Sequence, residues 1–197
     1  MARKLYKQFI SDLDEPSDAL LAPLADAFRK ANYHIQVPLQ MILGSQHFYD
    51  AATLRKRVKS PVEFMVGMIR SLEVLRPTVS LDQVAQSCSG MGQSLYAPPS
   101  VAGWDGGPAW INTTAMLGRT NASLSLIADT GRFDPLALAT RNAAKDPKDQ
   151  AKFYLDLLVQ DSFATKLVER VEAASLRTKD PKDVVTLILT APEYQLG

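Results

Sequence analysis

Apolar residues recur at three- and four-residue intervals along most of the chain. Val62, Met65, Val66, Ile69 and Leu72 fall on one face, as a helix packed on a core requires. The spacing predicts a helix over about 61–76. Its start is written in Ser60-Pro61-Val62-Glu63. A serine N-cap can accept from the Glu63 N–H while the Glu63 carboxylate reaches back to the Ser60 N–H. Proline suits the first helical position, where its missing N–H costs nothing. The same chemistry recurs at Asp146-Pro147-Lys148-Asp149 and Asp180-Pro181-Lys182-Asp183. In both, the second acid also meets the positive end of the helix dipole. Ser80-Leu81-Asp82-Gln83 and Asp134-Pro135 mark two more starts. Further helices are expected over about 2–10, 17–31, 37–49 and 113–128, the last capped by Asn112 through the Thr114 or Ala115 N–H.

No stretch alternates apolar and polar residues as a strand does. The fold class is therefore all-α: an irregular multi-helix bundle of about eight or nine helices. A single domain over 1–197 is expected, with a sub-boundary near 130–146, where Thr130, Gly131, Pro135 and Pro147 cluster. A weak echo runs through it. Ile42-Leu43 precedes Phe48, Leu157-Leu158 precedes Phe163, and Ile188-Leu189 precedes Tyr194. It reads as a helix end pinned by an aromatic folding back onto the core. The irregular spacing between copies is not a solenoid period.

One segment breaks the helical pattern. Residues 90–112, GMGQSLYAPPSVAGWDGGPAWIN, hold five of the ten glycines, three of the twelve prolines and both tryptophans. Glycine opens positive φ and proline fixes φ, so the composition specifies a long, ordered, shaped loop. Tyr96, Trp104, Asp105, Trp110, Asn112 and Arg119 offer stacking faces, a carboxylate, an amide and a guanidinium, a mixture suited to ligand binding. The structural alternative is a covering flap. In that account the tryptophans are core, and Arg119 pairs with Asp105 or with loop carbonyls.

Composition narrows the function classes. The net charge is +1, from 22 basic and 21 acidic residues, so no overall footprint for nucleic acid exists. The cluster Arg55, Lys56, Arg57 and Lys59 is short enough to be a solvated helix end. Cys88 is the single cysteine, which excludes an intrachain disulfide and a cysteine-built zinc site. Its apolar neighbours suggest a buried filler. His34 and His47 form no metal-binding pattern, and no metal or cofactor is expected. Gly90-Met91-Gly92-Gln93-Ser94-Leu95 lacks the third glycine of a phosphate cradle. No apolar run reaches the roughly 20 residues of a membrane span, and no export signal is visible.

Four stretches carry a family resemblance: RKLYKQF, SPVEFMVGMIRSL, QSLYAPPSVAGWDGGPAWINTTAMLGRTN and LILTAPEYQ. Together they resemble the C-terminal part of the bacterial family known as domain of unknown function 1800 (DUF1800). The matching residues are Ser60, Pro61, Glu63, Phe64, Pro98, Pro99, Val101, Gly103, Trp104, Gly107, Trp110 and Arg119. Within this set Ser60, Pro61, Glu63, Gly103 and Gly107 read as structural. Family members are generally longer, so the resemblance implies that an N-terminal helical portion is absent here. It supplies no activity. Its members often occur beside an exported protein, which implies a cell-envelope or exported context for the full-length relative.

Three functions follow as expectations. The first is a non-catalytic helical module, a binding or scaffold part of a longer bacterial protein, whose partner is another protein or that N-terminal portion. It requires an exposed apolar patch. The second is saccharide or polymer binding through the tryptophan loop, which requires an exposed indole. The third is a hydrolase with Asp105, Arg119 and Glu63 in its site.

Overall fold

A computed structural model describes the chain apart from residues 75–78, 129–130, 132, 161–164 and 179. The described residues form ten α-helices and no strand; only isolated bridges pair Val58 with Leu196 and Ser100 with Gly103. The chain divides into two units.

The first unit comprises Met1–Val58, Gly106–Ala109 and Leu196–Gly197. It contains α1 (Ala2–Phe9), α2 (Asp18–Lys30) and α3 (Gln36–Leu43). Ala2, Leu5 and Tyr6 share one face of α1 and pack with Ile10, Leu21 and Ile42. Ser17 caps α2 by accepting from the Leu20 N–H. The helix expected over 37–49 is interrupted. α3 ends at Leu43 with Gly44 as its C-cap, and a 3₁₀ turn follows over Gln46–Tyr49. Ser45 explains the break: its hydroxyl donates to the Ile42 carbonyl and accepts from the Phe48 N–H. Gly107 sits at φ +51, and a Cβ there would lie 3.2 Å from the Asp12 Cβ. Both facts favour glycine.

The second unit comprises Lys59–Asp105 and Trp110–Gln195. Its helices are α4 (Pro61–Ser71), α5 (Leu81–Gly90), α6 (Thr113–Ala128), α7 (Pro135–Arg141), α8 (Pro147–Val159), α9 (Thr165–Arg177) and α10 (Pro181–Leu189). α8, α9 and α10 pack on one another, and α10 also packs on α6. Phe64, Met68, Tyr154, Leu167, Val185 and Ile188 centre the core. The segment 130–146 lies inside this unit.

The caps form as their residues dictate. Ser60 and Glu63 complete the reciprocal box, at 3.2 Å from the Glu63 N–H to the hydroxyl and 2.7 Å from the Ser60 N–H to the carboxylate. Asp134, Asp146 and Asp180 each accept from N–H groups of the first turn. α4 stops at Ser71, short of the expected 76. Glu73 turns left-handed at φ +51, and the Val74 N–H returns to the Ile69 carbonyl. That closure satisfies carbonyls at the helix end and cannot continue the helix.

The apolar-pair device takes one form at two sites. Phe48 lies in the 3₁₀ turn after α3 and packs on the first unit's core. Tyr194 lies in a 3₁₀ turn over Pro192–Gln195 after α10 and is buried in the second. Phe163 falls outside the described residues.

Candidate functional site

α5 delivers the chain into the Gly/Pro/Trp segment, and α6 receives it. The Gln93 side chain anchors the entry by accepting from the Val62 N–H at 2.9 Å. Gly92, at φ +97, sits 3.8 Å from the Trp110 ring measured from its Cβ position. Trp110 is buried, at 7% exposure, and so acts as the core anchor of the loop. Asn112 caps α6 by accepting from the Ala115 N–H at 2.9 Å. Gly103 takes φ +94 and closes a tight turn, its N–H donating to the Ser100 carbonyl.

Between these anchors the chain is exposed. Every residue from Leu95 to Ala102 faces solvent. Tyr96 is 99% exposed at φ +62, and Val101 is wholly exposed. Trp104 is half-buried, with its indole N–H enclosed and unpartnered. Asp105 is exposed.

Charge is nearly absent from this stretch of the sequence. Between Gln83 and Ala128 the only charged residues are Asp105 and Arg119, and Arg119 is buried at 1% exposure. Leu95, Tyr96, Val101, Ile111, Leu117 and Leu124 are all exposed on the same stretch. Loss of charge together with exposed aromatic and aliphatic groups is the compositional mark of an interface centre.

Arg119 does not join the loop's polar groups. Its Nη2 donates to the Lys59 carbonyl at 2.6 Å and its Nη1 to Gln195 Oε1 at 3.0 Å. The guanidinium lies 5.0 Å from the Phe64 ring centre. Gln195 in turn donates to the Leu189 and Ala191 carbonyls. Lys59 reaches the Tyr194 carbonyl and sits 4.0 Å over its ring. Burial weakens the hold of Arg119 on its proton, and the Glu63 carboxylate opposes that effect. Burial also pushes the Tyr194 hydroxyl upward. The covering-flap reading pairs Arg119 with Asp105 or with loop carbonyls, and the ligand reading leaves it open to a ligand. Its actual partners come from the start of α4 and the chain's last turn. The sequence marks Lys59 only as part of a basic cluster and Tyr194 only as a helix-end aromatic, and it links neither of them, nor Gln195, to Arg119. Tyr194 and Gln195 belong to the LILTAPEYQ stretch, whose meaning depends on what it folds against.

Other chemistry is sparse. Glu63 is held in its cap. Cys88 is buried, and burial raises its thiol out of the reactive range. Among the described residues no group of three metal-binding side chains assembles. No described helix is long and apolar enough to cross a membrane.

The family model described as "Protein of unknown function (DUF1800)" matches residues 1–196. No curated protein and no solved structure matches the chain.

Proposed function

Because this chain belongs to the DUF1800 family, whose function is unknown, we propose that it is a non-catalytic helical module that docks an apolar protein surface. In this reading residues 1–197 act as one domain and form the binding or scaffold part of a longer bacterial protein. The charge-poor exposed segment Leu95–Ala102, with the exposed leucines of α6, is the docking surface. The observation that carries the reading is the wholly exposed, uncharged segment Leu95–Ala102. Such a surface in water is unfavourable unless something covers it. Tyr96 supplies a large, rigid contact, the residue type that anchors interfaces.

The test mixes the purified chain with the N-terminal helical portion of a longer family member and follows association by sedimentation velocity. A Tyr96→Asp/Val101→Asp variant should fold normally and lose the complex. No association of the unaltered chain, or association untouched by the variant, overturns the proposal.

The half-exposed Trp104 and the exposed Tyr96 ring support a second reading, saccharide binding by stacking. A glycan array run with the unaltered chain and Trp104→Ala separates the two. No such observation favours a hydrolase around Asp105 and Arg119, because Arg119 is buried and its Nη1 and Nη2 already serve Gln195 and Lys59.

A further inference from the structure

The second unit contains a groove that the docking loop does not use. It opens where α4, α5 and the C-terminal half of α6 meet, with a volume of about 800 Å³. Met65, Met68, Ile69 and Leu126 line its apolar part. Gln83, Gln86, Ser87 and Ser125 bring amides and hydroxyls to it. Among the described residues lining it, none is charged. A second hollow of about 560 Å³ shares Ile69, Val79 and Val84 with the first, so the two adjoin. Val66, Val74 and Leu81 extend it as an aliphatic channel. Among its described lining residues Arg70 and Glu73 are charged, and Glu73 is ion-paired with Arg141 at 2.6 Å.

These dimensions match small-molecule sites, which run about 300–1,000 Å³ and often lie between helices of a bundle. The lining selects the ligand's chemistry. A charged head in the first hollow would lose its hydration and find no opposite charge among the described lining residues, a heavy cost. Neutral amides and hydroxyls instead match hydroxyl or amide heads, as both donors and acceptors. The Ser87 hydroxyl donates to the Gln83 carbonyl, which leaves its lone pairs free to accept. The adjoining valines and leucine suit a hydrocarbon tail. Met65 and Met68 are flexible enough to adapt to its shape.

We propose that the paired hollows bind a neutral amphiphile, with a hydroxyl- or amide-bearing head in the first and a short hydrocarbon tail in the second. The probe is Nile red, a neutral dye, titrated into the full chain and followed by fluorescence. Competitors are octyl glucoside, decanoate and decyltrimethylammonium, each below its micelle concentration. One saturable site is expected. Octyl glucoside should displace the dye at least tenfold more readily than either charged competitor. Ala122→Phe fills the groove and should weaken dye binding at least tenfold. Ser125→Phe narrows it from an exposed position and should do the same with an unchanged melting temperature, so the test survives if Ala122→Phe does not fold. Non-saturable binding, equal displacement by all three competitors, or unaltered affinity in Ser125→Phe overturns the proposal.

Discussion

Replacing Arg119 with methionine tests the claim that this buried cation ties the second unit together. Methionine keeps the length and the contact with Phe64 but removes every donor. Two acceptors then lose their partner, the Lys59 carbonyl and Gln195 Oε1. An orphaned buried acceptor costs about 1–3 kcal/mol. Gln195 is buried at 2% exposure, so its loss should lie high in that range; Lys59 is only half-buried, so its loss should lie low. The expected sum is about 3 kcal/mol. Both tryptophans belong to this unit, so their fluorescence reports its unfolding in urea. With a slope of about 2 kcal/mol per molar, the midpoint should fall by about 1.5 M. Pairing the change with Gln195→Met removes one of the orphans. The double variant should therefore be about 1 kcal/mol less destabilised than the two singles added. A midpoint shift below about 0.25 M, the range of an ordinary surface change, would refute the reasoning. Strict additivity would refute it as well.

Gly118→Ala should destabilise despite alanine's better helix propensity. The new Cβ would stand 2.7 Å from Met91 Cγ, and overpacking costs about 1–3 kcal/mol against a propensity gain near 1; a raised melting temperature would contradict this. Tyr154→Phe removes the 2.6 Å hydrogen bond to the Pro135 carbonyl and should cost about 1–2 kcal/mol by urea denaturation. The Asp146 carboxyl is held below its ordinary value, chiefly by the Asp149 N–H. Its contribution is complete above the unfolded value and disappears as pH falls through the folded one. Asp146→Asn should therefore flatten the acid limb of stability below about pH 4, read from melts at stepped pH.

The proposed docking face was only partly legible. The loop's composition marked residues 90–112, and Asn112 sits in the cap expected of it. The tryptophans divide their roles: Trp110 is buried, while Trp104 does not bury fully. Nothing in the local sequence distinguishes the two. Arg119 looked like a ligand group because charge in a distinctive segment usually faces solvent. Its burial needs acceptors 60 and 76 residues away, which no local pattern encodes. The groove was invisible for the same reason, since its walls come from three separate helices.

The sequence alone determined where the capped helices begin and, in the main, which faces turn inward, although Val66, on the expected inner face of α4, is exposed. A cap joins residues two or three positions apart, so its free energy depends little on the rest of the chain. Helix ends were less determined: α3 and α4 stop early at local closures that compete with an apolar pattern which would run on. Tertiary structure alone decided that Gly106–Ala109 groups with the N-terminal residues, that Lys59 and Gln195 share one buried guanidinium, and that Leu95–Ala102 remains uncovered. Those outcomes depend on contacts between distant segments, whose stability comes from excluding water in three dimensions.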